Sequence, residues 1–192
     1  MINFDFLTKT TKEQEKIKLH INEPSFINKC TSFINLKLDK IKHTNRPVIT
    51  VCIGTDRSTG DSLGPLVGWL LQRKLPANNF IYGTIDKPVH AANLLEVINE
   101  LELTFRNPYI IAVDACLGKL ESVGCVNIAE GSLKPGAAVN KNLPAIGDLS
   151  ISGIVNVGGF MEYYVLQNTR LSLVMQMAEK IASVLYKVYQ KR

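Results

Sequence analysis

Two aspartates stand where apolar runs give way to glycine-bracketed turns. Asp61 lies in "VCIGTDRSTGDSLGPLVGWLL", residues 51–71, and Asp114 in "YIIAVDACLG", residues 109–118. Carboxyls gathered in a desolvated site cannot all ionise, so one holds a proton while its neighbour can take one. Such a pair activates water, or holds a cation that does so. The first turn also carries Thr55, Asp56, Ser58 and Thr59, and "GTIDKPVHA" adds Asp86 and His90. Each has a plainer reading. Asp61 before a helix can be a cap, and Asp114 can bond loop amides. Asp56 beside Arg57 can be a solvated pair, and His90 can hydrogen-bond locally. Phosphate chemistry does not fit the turn: a P-loop needs a lysine after its second glycine, and here Gly60 is followed by Asp61 and Ser62. "GTDRSTG" is no dinucleotide fingerprint either.

A sheet is what would bring these residues together. "PVITVCIG", residues 47–54, is a continuous β-branched run of the kind buried on both faces. "SLGPLVGWLLQRKL" then reads as a helix. Ser62 or Asp61 can cap it, Pro65 fits its first turn, and Arg73 and Lys74 suit its end. "NFIYGTI" predicts a second strand, "PVHAANLLEVINELEL" a second helix, and Tyr109 to Val113 a third strand. "SVGCVNIAEG" and "AIGDLSISGIV" are weaker strand candidates. A helix from Ser25 has apolar residues at 27, 30, 34, 38 and 41 and ends at Asn45-Arg46-Pro47. The last helix has Thr169 as N-cap and an apolar stripe at 171, 174, 178, 181, 185 and 188. Strand–helix alternation predicts one α/β domain over residues 25–192, a three-layer, twisted, mainly parallel sheet flanked by helices. The polar segment 1–24 is expected to be mobile. Parallel strands open their carboxyl ends on one edge, where ligands bind. Asp56, Asp61 and Asp114 belong to that edge, with Asp86 and His90 beside them.

The net charge of +5 is unevenly spread. Residues 1–46 carry nine basic and five acidic side chains, residues 170–192 five and one, and the stretch between them eight and eleven. A basic stripe with stacking residues is missing, so no nucleic-acid partner is expected. No apolar run approaches the length of a membrane span, and the first twenty residues lack a signal peptide's apolar region. No membrane partner is expected, and the location expected is cytoplasmic. Cys30, Cys52, Cys116 and Cys125 are scattered without a zinc-ligand spacing and read as small hydrophobes.

Four motifs in order, "IGTDRSTGDSLGP", "KPVHAANL", "VDACLG" and "GDLSISGIVNVGGFMEYYVLQNTRLSLV", resemble the YyaC-type sporulation proteins, regarded as spore proteases, over roughly residues 25–190. More distantly the opening resembles the germination protease family and the hydrogenase maturation endopeptidases. The resemblance implies a phosphorylase/hydrolase-like fold, and it matches Asp61 and Asp114 to the two catalytic aspartates of the germination proteases. In the maturation endopeptidases the same positions ligate nickel together with a histidine, where this chain has Asn156 in "NVGGF". An amide is a poor nickel ligand.

The expected function is therefore a sporulation-associated endopeptidase, acting in the sporulating cell or spore interior. Its substrate would be a protein or peptide, with small acid-soluble spore proteins as candidates. Asp61 and Asp114 would be catalytic. Thr55, Asp56, Ser58, Thr59 and His90 would bind substrate, with Asn156, Gly158 and Gly159 forming an opposite wall. No cofactor is expected; a nickel or zinc ion, if held, would rest on Asp61, Asp114 and His90. Two alternatives remain open at this point: a non-catalytic sporulation protein that binds a partner peptide on the same fold, and a metal-dependent maturation-type peptidase.

Overall fold

The computed structural model describes residues 16–76, 80–135 and 143–192. Its centre is β2 (Val48–Cys52), buried at all five positions because helices cover both faces of the sheet. Period-two alternation divides its side chains. Ile49 and Val51 pack with Leu94 and Leu101 of α3 (Leu94–Thr104). Val48 and Cys52 face the other layer, with Leu63, Val67 and Leu71 of α2 (Leu63–Lys74). That layer is completed by α1 (Phe26–Asp39) and by α5 (Leu171–Gln190), whose Val174, Met177, Ala178, Ile181 and Leu185 are buried on one stripe. The result is the three-layer α/β domain that the alternation predicts.

Six strands form the sheet: β1 (Lys16–His20), β2, β3 (Ile81–Tyr82), β4 (Tyr109–Gly118), β5 (Cys125–Glu130) and β6 (Leu149–Val157). Their spatial order is β1-β5-β6-β4-β2-β3. β3, β2, β4 and β6 run parallel, and β5 and β1 add antiparallel pairings at one side. Among the described residues no helix is long and apolar enough to cross a membrane.

Four local expectations need correction. Lys16–His20 belongs to the segment expected to be mobile, yet it pairs with β5 from Lys16↔Ala129 to His20↔Cys125, seating Ile17 and Leu19 against the core. The remainder of that expectation, residues 1–15, lies outside the described residues, as does residue 79 of the second predicted strand. Asp114 does not follow its strand but lies within it, because β6 pairs with β4 as far as Gly118. Thr169 is not the cap of α5; Arg170 holds that position, and the Thr169 hydroxyl donates to the Val165 carbonyl at 2.8 Å. Finally, Ser62 occupies the N-cap of α2 without a side-chain cap bond, its Oγ donating instead to the Thr59 carbonyl at 2.7 Å.

At the end of the sheet away from the acidic turns, Arg46 ties three segments together. Its Nη2 donates to Asp148 Oδ1 at 2.9 Å and to the Pro108 carbonyl at 2.8 Å, and its Nε donates to the Asn107 carbonyl. Asp148 Oδ2 accepts from the Ile110 amide at 2.9 Å, which registers β6 against β4. The guanidinium also lies 5.2 Å from the centre of the Tyr109 ring. Arg46→Ala is expected to cost about 1–3 kcal/mol, the range for charge-assisted hydrogen bonds left unmade. Thermal unfolding should show this as about 2–4 °C per kcal/mol for a chain of this size. Arg46→Lys recovers only part, because an ammonium has no planar fork.

Candidate active site

The glycines around the first aspartate are there for close packing of α2 onto the end of β2. Gly54 has φ +143°, and a Cβ there would lie 1.9 Å from the Asp61 carbonyl oxygen. At Gly64 a Cβ would lie 2.0 Å from the Ile53 carbonyl oxygen. The chain thus folds back tightly under the helix, with the Thr55 amide donating to the Asp61 carbonyl at 3.2 Å. A single 3₁₀ turn, Gly60–Ser62, delivers Asp61 to the sheet edge.

Asp114 reaches the same edge from β4. Ala112 and Asp114 stand opposite Ser150 and Ser152 of β6, so one face of the central strands turns from apolar to polar at its carboxyl end. Asp114 is only 7% exposed, and its Oδ1 accepts from the Ala115 amide at 2.8 Å. Burial raises its pKa well above the ordinary value, the nearby Asp61 carboxylate raises it further, and the Ala115 amide opposes them more weakly. Asp114 therefore holds its proton where an exposed aspartate would have lost it.

Both aspartates line one cavity of about 650 Å³. Thr55, Asp56, Ser58 and His90 line it too, as the sequence predicts. The Ser58 hydroxyl is buried and has no hydrogen-bond partner among the described residues. His90 is oriented by its own turn: its amide donates to Asn93 Oδ1 at 2.8 Å, and its Nδ1 accepts from the Ala92 amide at 3.3 Å.

Other predicted residues fall elsewhere. Thr59, Asn156, Gly158 and Gly159 do not line this cavity, and Asp86 faces a separate one beside Tyr82 and Glu100. Asn156 is engaged in holding α4 (Glu162–Gln167): its Nδ2 donates to Thr169 Oγ1 at 3.2 Å and its Oδ1 accepts from the Val157 amide at 2.9 Å. The opposite wall comes instead from Ser132 to Pro135, Leu143, and Tyr163 and Leu166 of α4. Sequence reasoning missed these, and also Ser150 and Ser152. The serines did leave a signal, since hydroxyls at alternate positions of "LSISG" put a polar stripe on one face of a buried strand.

Cys116 lines the cavity, but burial, reinforced by the Asp114 charge, pushes its thiol up to about 12, which leaves no thiolate nucleophile at neutral pH. Among the described residues no three of His, Cys, Asp and Glu group closely enough to hold a metal ion. Asn156, where the maturation enzymes would have a histidine, has both ends of its amide hydrogen-bonded.

Comparison with known proteins supports the fold and gives the family. A NiFe hydrogenase maturation protease, HycI from Thermococcus kodakarensis KOD1, has the same fold with a TM-score of 0.50 at 16% identity, covering 80% of this chain and 99% of that one. The YyaC protein of Bacillus subtilis (strain 168) is 50% identical over 171 residues, which is 88% of this chain and 82% of the relative. The model of the family described as protein of unknown function (DUF1256) matches residues 18–184, and the chain belongs to that family.

Proposed function

We propose that this chain is a hydrolase that cleaves peptide bonds, with Asp61 and Asp114 as the pair that activates water. The observation that carries the reading is the buried Asp114 beside a second carboxyl in the lining of one cavity, where burial and Asp61 both raise its pKa. Asp61 takes a proton from the attacking water while Asp114 gives its proton to the carbonyl oxygen; breakdown of the tetrahedral intermediate passes a proton to the leaving amine. Thr55, Asp56, Ser58 and His90 orient the substrate, and the orphaned Ser58 hydroxyl bonds to it. No metal is required in this scheme. The place of action is the interior of the sporulating cell or spore, with small acid-soluble spore proteins as the first substrates to try, as the resemblance to germination proteases implies.

The test compares wild type with Asp61→Asn on purified small acid-soluble spore proteins and on an unfolded protein, with products read by mass spectrometry. Loss of the base is expected to slow cleavage by about 10²–10⁴-fold, and a chelator should leave the wild-type rate unchanged. Cleavage by Asp61→Asn at the wild-type rate overturns the proposal. If neither protein cleaves anything and both bind the same peptide, the binding-protein reading replaces it.

A further inference from the structure

A second cavity, of about 610 Å³, lies outside the acid-lined one. It is lined by Asn156, Val157 and Gly158 from the end of β6 and by Phe160, Met161 and Tyr164, among others, with no charged side chain. The two cavities share α4 as a wall. Tyr163 and Leu166 face the aspartates, while Met161, Tyr164, Val165 and Asn168 face the second cavity. At 3.6 residues per turn these sets point to opposite sides of the helix. The chain enters α4 through Gly159 at φ +132° and Met161 at φ +48°, and it leaves Phe160 83% exposed. Tyr163 and Tyr164 are 59% and 56% exposed, so the crest between the cavities is aromatic and open to solvent. A run of exposed aromatics continuous with a cavity marks an interaction surface rather than scattered surface apolarity.

We infer that an extended polypeptide lies across α4, seating one bulky apolar side chain in the second cavity while its scissile bond meets Asp61 and Asp114. This rests on the proposed hydrolase and names its substrate class: an unfolded segment with an apolar anchor at a fixed distance from the cut. The distance follows from the helix. A helix with side chains is about 10–12 Å wide, and an extended chain advances about 3.3–3.6 Å per residue, so about three or four residues separate the anchor from the cut. The uncharged lining favours an apolar anchor over a lysine or aspartate.

The probes are short, neutral, fluorescein-labelled peptides bearing a single phenylalanine anchor, with counterparts in which lysine replaces it. Binding is read by fluorescence anisotropy on the Asp61→Asn protein, so that cleavage does not interfere. The phenylalanine peptide should bind, and Phe160→Ser with Tyr164→Ser should weaken it about tenfold or more. Both positions are solvent-exposed, so the double variant should melt with the parent. Leu103→Ser, 89% exposed on α3, should change nothing. Absence of binding, equal binding by the double variant, or equal binding of the lysine peptide overturns the inference. So does concentration-dependent self-association that the double variant abolishes, since the surface would then be a contact between copies of this chain. Wild-type protein on the same peptides separates the two ideas. Anchored binding without cleavage removes the hydrolase and keeps the docking surface; cleavage with binding unchanged by the double variant does the reverse.

Discussion

Asp114→Asn is expected to melt above the wild type at pH 8 and to have lost hydrolysis. The sign follows from the direction of the shift. The folded-state pKa of Asp114 lies well above the ordinary value of 3.8, chiefly through burial and further through Asp61. Below 3.8 the group is protonated in both the folded and unfolded chain, and its favourable contribution is complete. As pH rises from there toward the raised value, the unfolded chain loses the proton first. Stability then falls by about 1.4 kcal/mol for each pH unit in the window. Above the raised value the loss is complete, and the wild type holds an ionised carboxylate in a buried site. Asparagine keeps the Oδ1 that accepts from the Ala115 amide and has nothing to ionise. The difference in Tm should therefore vanish near pH 4 and widen to a plateau at higher pH, at about 2–4 °C per kcal/mol recovered. A difference that does not change with pH would show that Asp114 does not hold its proton. The same titration shapes activity: hydrolysis should fall as pH rises through the raised pKa, because Asp114 then has no proton to give. A variant more stable and inactive is the pattern of a residue retained for function at the expense of the fold.

Much of this arrangement could be read from the residues. Apolar β-branched runs before Gly54 and Asp114, with two helical patterns between them at 62–75 and 88–103, point to a parallel sheet and so place Asp61 and Asp114 at one edge. What escaped the sequence depends on partners distant along the chain. β6 looked weak because Ser150, Ser152 and Gly153 interrupt its apolar pattern, yet those residues are what the site needs: two hydroxyls near Asp114, and a glycine where Leu63 and Met177 leave no room for a side chain. β1 looked polar because only Ile17 and Leu19 of its five residues face inward, and an edge strand shows half its side chains to water. Asn156 was misplaced for a different reason. Its neighbours Gly158 and Gly159 suggest close approach to a substrate, but the amide is engaged by Thr169, thirteen residues on, in a latch that only the folded corner creates.

Gly64→Ala should be the most damaging small substitution near the site, although intrinsic helix preference argues the other way. In an exposed helix alanine is favoured over glycine by about 1 kcal/mol. Here the added Cβ would lie 2.0 Å from the Ile53 carbonyl oxygen and 2.8 Å from the Ile53 carbon and nitrogen. All three are backbone atoms of the chain leaving β2, fixed by the Ile53 amide bond to the Val113 carbonyl at 2.7 Å. No rotamer relieves the contact, so α2 must lift from the sheet by about 1 Å or more to reach ordinary separation. Leu63 and Val67, both fully buried, would be drawn out of the core with it. The expected loss is about 3 kcal/mol or more, at the upper end for overpacking and net of the helix-propensity gain. Urea unfolding should show it as a lower midpoint with unchanged slope. Function should suffer beyond stability. Asp61 is three residues before Gly64 and moves with the helix, and misplacement by about 1 Å can cost about 10²-fold in rate. The comparison that isolates this is Gly68→Ala, one turn further along the same helix, whose Cβ would meet the Gly83 carbonyl oxygen at 1.9 Å. Both variants should unfold early. At a temperature where both remain folded, Gly64→Ala should lose the greater share of hydrolysis, because it displaces the end of α2 that carries Asp61. Equal residual activity in the two would mean that the seating of α2 on β2 does not set the position of the aspartate.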